Sequence, residues 1–242
     1  MAKNSLNKSQ YHQDKFIDFL FKKKENGTFV DIGAHDGISL SNSYFFEKCR
    51  NWKGLCIEPI PMSYENLIKN RSCYAENCCV SDKTDVVTFR IVEGIEVLSG
   101  ILEFFDDEHL NRIEREILEQ GKTYRDVPIQ CEKLEDLLAK YAIQTIDYCS
   151  IDTEGAEYQI ISTIDFDKVH ITSFSVENNN GDNQIRNYLK QKGYHCIKGI
   201  CDDYFIKKHN FSSLHLCMFS IYVHLYKWKC NLCGILKKYF NL

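Results

Sequence analysis

The sequence predicts an α/β fold in which a mostly parallel sheet carries helices on both faces. Short apolar runs alternate with longer stretches of helical period along nearly the whole chain, and this alternation is typical of the βα units of parallel sheets. Apolar residues make up 44% and charged residues 26% of the 242 positions, which is the composition of a globular protein. A chain of this length buries a large core without disulfide or metal staples.

In the first half of the chain, residues 12–24 carry a helical period that ends in three lysines, which suit the negative end of a helix. The turn residues Asn26 and Gly27 follow, and Pro59 stops the second apolar run. The stretch after Gly37 is compatible with a helix. The remaining elements predicted here are a helix at 62–70 and strands at 28–32, 54–58, 74–80 and 85–92.

The second half begins with a very polar stretch at 106–120, which predicts an exposed helix inserted between the third and fourth strands of the sheet. Such insertions often form lids that carry substrate specificity, and we look for substrate contacts at Arg112, Arg115 and Tyr124. The elements that follow are helices at 134–141, 158–163 and 185–192, strands at 146–151 and 172–176, and a closing pair of strands at 194–198 and 204–207.

Charge and cysteine content limit the class of protein. Thirty basic and thirty-four acidic side chains give a net charge of −4, so no overall positive field favours a nucleic-acid partner. The twelve cysteines are irregularly spaced, and Met1–Asp14 lacks the apolar core of a signal peptide. We therefore expect reduced thiols in a cytoplasmic protein, with a main domain at 1–209 and a helical appendage at 210–242.

The appendage contains a segment, residues 211–226, without any Lys, Arg, Asp or Glu. Leu214, Met218, Ile221 and Leu225 recur there at helical spacing. Because a membrane span needs about 20 apolar residues, we expect a helix that packs on the domain or on a partner subunit, as in a homodimer. Peripheral contact with a membrane surface is the alternative, favoured by the lysines and aromatic residues that follow.

A cofactor site is predicted at the end of the first strand, where Asp31 and Gly33 open a turn that closes at Gly37. The two glycines do not form the G-x-G-x-x-G pattern, and the Asp31 carboxylate disfavours the pyrophosphate of a dinucleotide. That carboxylate suits a cation such as the ammonium of a methionine moiety. Glu58 ends the second strand 25 residues after Gly33, where an acid accepts hydrogen bonds from a ribose diol. These residues predict S-adenosylmethionine rather than NAD.

Two further residues belong to this prediction. Asp82 follows the third predicted strand, at a position from which it reaches an adenine amino group. His35 lies inside the glycine turn and is a minor candidate for a catalytic base.

Acidic residues cluster after the fourth and fifth strands of the predicted sheet. Asp152, Glu154 and Glu157 lie within six residues of one another, and Glu177 and Asn178 end the next strand. A helix cap accounts for one or two of these acids but not for all of them. If a hydroxyl is the methyl acceptor, one of the four carboxylates takes its proton, or Asp152, Glu177 and Asn178 hold a divalent cation such as Mg²⁺. The sequence leaves base and metal open.

The chain resembles the FkbM family of S-adenosylmethionine-dependent methyltransferases over roughly residues 10–208. The resemblance rests on motifs at 29–37, 41–47, 52–61, 70–71 and 151–157. It implies a class I Rossmann-like methyltransferase fold with a seven-stranded sheet, and O-methylation, often of a sugar or polyketide hydroxyl. By position it makes Asn42 a neighbour of the cofactor and places Asp152 and Glu154 beside the methyl group.

The sequence departs from the family pattern at three points. Ser43 stands where threonine is expected and Ile60 where asparagine is common. Many relatives have a histidine after the glutamate of the fifth strand, whereas Asn178 and Asn179 follow Glu177 here. If that histidine assists catalysis in the relatives, this chain uses a different base.

The expected site is therefore defined by three sets of residues. The cofactor-binding set is Asp31, Gly33, His35, Gly37, Asn42, Glu58, Asp82 and Asp152. The catalytic set is Asp152, Glu154 and Glu177, and the metal set is Asp152, Glu177 and Asn178.

We expect a methyltransferase that acts on a hydroxyl of a sugar, glycan or glycosylated small molecule. One alternative is RNA as the acceptor, through a ribose 2′-hydroxyl, which the net charge disfavours. A nicotinamide oxidoreductase is a second, disfavoured by Asp31 and the missing third glycine. A non-catalytic cofactor-binding scaffold is a third.

Overall fold

The computed structural model describes residues 6–178 and 181–240, with side chains as far as residue 233. Within these residues the helices are α1 (Gln13–Leu20), α2 (Tyr44–Arg50), α3 (Pro61–Asn70), α4 (Asp107–Gln120), α5 (Leu134–Lys140), α6 (Glu157–Ser162), α7 (Asn183–Gln191) and α8 (Ser213–Phe240). The strands are β1 (Thr28–Ile32), β2 (Lys53–Ile57), β3 (Tyr74–Glu76), β4 (Cys79–Ser81), β5 (Asp85–Glu93), β6 (Gly100–Ile101), β7 (Thr123–Lys133), β8 (Thr145–Ile151), β9 (His170–Glu177), β10 (Tyr194–Lys198) and β11 (Asp202–Lys207).

The larger sheet has seven strands in the order β10-β11-β9-β8-β1-β2-β3. The five strands from β9 to β3 are parallel, and β11 is antiparallel to both of its neighbours. This confirms the mostly parallel sheet predicted from the sequence and shows that the sheet is mixed. The chain order runs outward in both directions from the neighbours β1 and β8, which places a topological switch point at their carboxyl ends.

Helices cover both faces of this sheet, as predicted. On one face, Phe16 of α1, Phe46 of α2 and Leu67 of α3 form a buried cluster with aromatic residues of β1 and β8. On the other face, α5, α6 and α7 contribute Leu137, Ile160 and Leu189. The burial of these apolar side chains is the main force that stabilises the fold.

A second sheet of four strands, in the order β4-β7-β5-β6, was not predicted. It divides the predicted strand at 74–80, because β3 pairs in the large sheet and β4 pairs in the small one. Asn77 lies at the crossing, where its side-chain amide donates to the Glu58 and Pro59 carbonyls at 2.8 and 3.0 Å. The carboxyl end of the third strand therefore lies several residues before Asp82.

The long helix α8 packs antiparallel to α1. His12 and Phe16 make ring contacts with Tyr226, and Phe16 also contacts Tyr222. Phe219 is fully buried in the same cluster. The helix predicted after residue 209 thus shares its core with α1, and the domain boundary at 209/210 stays a prediction.

All twelve cysteines are free thiols: five are buried, five are half-buried, and Cys217 and Cys233 are exposed. No helix in the described part of the chain has both the length and the apolar character to cross a bilayer.

Candidate functional site

A cavity of about 610 Å³ opens at the carboxyl ends of β1, β2, β8 and β9. Its volume lies within the range of about 300–1,000 Å³ that small-molecule sites occupy. Gly33, Glu58, Asp152 and Glu177 line it, and each lies at the end of a strand or directly after it. The cavity therefore lies at the sheet edge where the switch-point rule predicts a ligand site.

The glycine turn brings the β1 and β8 ends into direct contact. Gly33 has a φ of +87°, and a Cβ built on it would lie 1.9 Å from the Asp152 carbonyl oxygen. Its N–H donates to the Ile57 carbonyl at 3.0 Å. Only glycine fits here, because both the backbone conformation and the space exclude a side chain.

Glu58 is held in place by the turn that it faces. One carboxylate oxygen accepts the His35 N–H at 2.8 Å, and the other accepts the Ile60 N–H at 2.9 Å. The side chain is buried, and this burial raises its pKa to about 7. The carboxylate is thus fixed at the cavity wall before any ligand binds.

Asp31 lies in a buried polar network beneath the turn. Its carboxylate accepts the Ser43 hydroxyl at 2.5 Å, and Arg71 donates to the same hydroxyl oxygen at 3.0 Å. Burial raises the pKa of Asp31, while the hydrogen bond from Ser43 and the charge of Arg71 oppose that rise. Asp31 lines the cavity and also fixes the start of α2 against β1.

Asn42 lines the cavity and has an unsatisfied polar group in its side chain. Its amide nitrogen donates to the Ser150 hydroxyl at 2.9 Å, but its amide oxygen is buried without a hydrogen-bond partner in the described structure. A buried carbonyl oxygen without a partner costs free energy. A bound ligand with an N–H group would satisfy it.

Three carboxylates converge on the opposite wall. Oxygen atoms of Asp152, Glu154 and Glu177 lie within 4.8 Å of one another. The Asp152 side chain is exposed to the cavity yet surrounded by protein, which raises its pKa to about 6, and burial likewise raises the pKa of Glu154 to about 8. Burial and the charge of Asp152 raise the pKa of Glu177, and the two side chains share a hydrogen bond.

Two side chains of the inserted helix α4, His109 and Arg112, lie close to Glu154 of this cluster. His109 Nδ1 lies 3.4 Å from Glu154 Oε2, and Arg112 Nη1 lies 4.0 Å from the same oxygen. The other ring nitrogen of His109 lies 3.0 Å from the Leu98 carbonyl oxygen. Burial lowers the pKa of His109, which favours the neutral imidazole beside Glu154.

Glu157 has a structural role in the same loop. Its Oε1 accepts the Thr153 hydroxyl at 2.8 Å and the Thr153 N–H at 3.0 Å. Both of its oxygens accept the Gly155 N–H at 3.1 Å. This side chain shapes the turn that presents Asp152 and Glu154, and its oxygens are already occupied.

Most residues of the expected site line the cavity, but three require correction. Gly37 lies outside the lining, and its missing Cβ makes room for Leu67 and Arg71 side chains instead. Asp82 is exposed and accepts the Ser81 hydroxyl, away from the cavity, because the chain has already left the large sheet at Asn77.

Asn178 is the third correction, at the proposed cation site. Its amide nitrogen donates to Asp203 at 2.7 Å and to the Asp182 carbonyl at 2.9 Å, and its amide oxygen accepts the Asp182 N–H. The Asn178 amide oxygen is thus already engaged, whereas the Glu154 carboxyl lies close to those of Asp152 and Glu177. Of the three substrate contacts expected near α4, Arg112 lines the cavity, whereas Arg115 and Tyr124 do not.

Asp202 is a cavity residue that the sequence did not indicate. It begins β11, and its carboxylate accepts the Gln13 amide at 2.6 Å. Burial raises its pKa to about 7. Asp202 reaches the cavity because β11 runs antiparallel to β9, so that the first residue of β11 lies at the same edge as the last residues of β9.

The raised carboxyl pKa values predict that the fold loses stability as pH rises. Between the ordinary pKa of a carboxyl group and its raised value, the native state binds more protons than the unfolded state, so the free energy of unfolding falls with increasing pH. The double variant Asp152→Asn/Glu177→Gln should therefore have a melting temperature a few degrees above that of the wild type at pH 8. At pH 5 the two melting temperatures should lie much closer together.

Asp82→Asn is the matched control, because it removes an exposed aspartate outside the cavity. Its melting temperature should differ from that of the wild type by the same small amount at both pH values. If the melting temperature of the double variant differed from that of the wild type by the same amount at pH 5 and pH 8, the prediction would be contradicted.

Comparison with known proteins gives one family match. The family model described as the methyltransferase FkbM domain matches residues 31–196. No curated protein matches the chain in sequence.

Several solved structures are similar at low sequence identity. An FkbM methyltransferase from Methylobacillus flagellatus is 12% identical, with a TM-score of 0.49 over 84% of this chain and 49% of its own. A TehB-like methyltransferase from Corynebacterium glutamicum is 7% identical, with a TM-score of 0.43 over 85% and 92%. A precorrin-6y C5,15-methyltransferase from Geobacter metallireducens is 12% identical, with a TM-score of 0.37 over 84% and 92%. This chain thus spans about half the length of the Methylobacillus protein.

Proposed function

The chain belongs to the FkbM family of methyltransferases. From this premise we propose that it transfers a methyl group from S-adenosylmethionine to a hydroxyl of a sugar, glycan or glycosylated small molecule. The observation that carries the proposal is the charge of the cavity at the strand ends. Among the described lining residues, Arg112 is the one lysine or arginine. The acidic side chains that line the cavity, whose ionised members give it a negative potential, are Asp31, Glu58, Glu96, Asp106, Glu108, Asp152, Glu154, Glu157, Glu177, Asp182 and Asp202.

This charge pattern selects among cofactors and acceptors. Carboxylates attract the sulfonium and ammonium groups of S-adenosylmethionine and repel the diphosphate of NAD. They also repel the phosphates of RNA and of sugar nucleotides. The acceptor that fits best is therefore an uncharged, hydroxyl-rich molecule, which favours a neutral glycan over the RNA alternative.

The residues present fit S-adenosylmethionine at three points. The buried Asn42 amide oxygen is an unsatisfied acceptor for an ammonium group. The fixed Glu58 carboxylate accepts hydrogen bonds from a ribose diol. Gly33 leaves the turn free of a side chain, so that backbone and ligand approach closely. When bound, the cofactor supplies an electrophilic methyl group on a positively charged sulfur.

The carboxylate cluster supplies the base that a weak hydroxyl nucleophile needs. Asp152 and Glu177 share a hydrogen bond, and burial and the charge of Asp152 raise the pKa of Glu177, so we assign the proton of the pair to Glu177 and the charge to Asp152. Asp152 accepts the hydroxyl proton as the new oxygen–carbon bond forms. Arg112 and His109 of α4 hold Glu154 beside it and cover the reacting groups.

A divalent cation at Asp152, Glu154 and Glu177 is the alternative for activating the hydroxyl. Asp152 and Glu177 share a hydrogen bond, an arrangement in which one carboxyl group holds a proton while the other acts as a base. We propose direct base catalysis without a metal, which treatment with EDTA tests.

The test is transfer of a labelled methyl group from S-adenosylmethionine to a panel of neutral oligosaccharides, sugar nucleotides and RNA. We expect label in a neutral oligosaccharide, as an ether that survives mild alkali, and the same rate after exhaustive treatment with EDTA. Label in RNA alone would contradict the acceptor class, and complete loss of transfer after EDTA would contradict the metal-free base. Cofactor binding without transfer to any acceptor would favour the scaffold alternative.

A further inference from the structure

The outward face of α8 carries an uncovered row of apolar side chains. This outer stripe consists of Leu214, Met218, Ile221, Leu225, Trp228 and Leu232, whose exposed fractions lie between 39% and 72%. The inward face of the same helix is also apolar and is buried, with Phe219 and Val223 almost inaccessible. The outer stripe runs for about 27 Å at 1.5 Å per residue, and a contiguous exposed apolar patch of this kind marks an interaction surface.

The charges of α8 are all of one sign. The helix contains Lys227, Lys229, Lys237 and Lys238 and no aspartate or glutamate. The other residues carry 26 basic and 34 acidic side chains, a net charge of −8. The positive charge is thus concentrated at the C-terminal half of the helix that carries the outer stripe, beside the exposed indole of Trp228.

The spacing of the outer stripe, alternately four and three residues, also matches the seam of a coiled coil. Partners in a coiled coil are selected by opposite charges that flank the seam. The flanking positions here include Cys217, His224 and Asn231 on one side and Tyr222 and Lys229 on the other. A second copy of α8 has no carboxylate to offer Lys229, whereas a surface of anionic headgroups complements the positive charge of this half of the helix.

We propose that α8 docks this protein on an anionic lipid bilayer. The outer stripe lies at the boundary between headgroups and acyl chains, and the exposed Lys229 contacts the headgroups. Trp228 sits at the same boundary, where its ring is partly in the apolar layer. The inward face stays packed on α1, so the methyltransferase body remains folded on the membrane surface.

The two tryptophans allow a direct test on the full chain, because Trp52 is 2% exposed and Trp228 is 65% exposed. The protein is mixed with vesicles of phosphatidylcholine alone or with about one third phosphatidylserine added. With the anionic vesicles we expect a blue shift of tryptophan emission, quenching by lipids brominated in the acyl chain, and co-sedimentation that weakens as salt increases.

Ile221→Asp/Leu225→Asp should weaken co-sedimentation by roughly tenfold or more, since it places two charges in the outer stripe. The matched control is Leu118→Asp, an 83% exposed apolar residue on α4, which should bind the vesicles like the wild type. The melting temperatures of both variants confirm that they fold. The proposal is overturned if anionic vesicles give no quenching and no co-sedimentation, if the double variant binds unchanged, or if Trp228 becomes covered by dimerisation without lipid.

Discussion

Asp152→Asn should lower kcat/KM for methyl transfer by about 10²- to 10⁴-fold, which is the range that general bases contribute. The amide keeps the shape of the side chain but cannot take the hydroxyl proton. The affinity for S-adenosylhomocysteine should stay within a few-fold of the wild-type value, because Gly33, Asn42 and Glu58 keep their positions. Steady-state kinetics and calorimetry on the same preparation separate the two effects.

The pH profile gives this prediction a second readout. In the wild type, kcat/KM should rise with pH as the Asp152–Glu177 pair loses a proton, starting near the pKa of about 6 for Asp152. The control Asp82→Asn should keep the wild-type rate and profile, since Asp82 lies outside the cavity. Wild-type turnover in Asp152→Asn would remove Asp152 from the chemistry.

Gly33→Ala should weaken S-adenosylhomocysteine binding by about a hundredfold or more and lower the melting temperature. The added methyl group would lie 1.9 Å from the Asp152 carbonyl oxygen, and the residue would have to keep a φ of +87°. The turn after β1 must therefore shift, which moves the cofactor loop away from the β8 turn and costs a few kcal/mol. Calorimetry and thermal denaturation measure the two losses.

Gly121→Ala is the matched control, because Gly121 also has a positive φ, +62°, but a Cβ there meets nothing within 4 Å. This variant should lose a little stability from backbone strain and keep full affinity. Equal losses in the two variants would mean that strain alone explains the effect. Wild-type affinity in Gly33→Ala would show that the turn does not contact the cofactor.

The parts of the site that follow from local sequence were predictable. Gly33, Glu58, Asp152 and Glu177 each follow or end a buried parallel strand, and an apolar run flanked by a turn identifies such a strand without knowledge of its neighbours. The burial pattern of β1, four buried residues of five, is the kind of signal that a sequence displays directly.

The parts that depend on distant pairing were not predictable. β7 has a single buried residue, Cys131, among eleven, and its apolar alternation covers only Val127, Ile129 and Cys131. This long strand exists because it pairs with β5 along nine residues. Asp82 was misplaced for the same reason, since pairing of β4 with β7 draws the chain out of the large sheet. Asp202 reaches the cavity because β11 runs antiparallel to β9, and the orientation of a closing strand is not encoded in its own residues.

The most direct test of the cofactor site is a calorimetric titration of the wild-type chain with S-adenosylhomocysteine and, separately, with NAD. The carboxylate-lined cavity with its Gly33 turn and Glu58 wall predicts one bound S-adenosylhomocysteine per chain and no heat from NAD. No heat from S-adenosylhomocysteine, or equal binding of both molecules, would contradict the account.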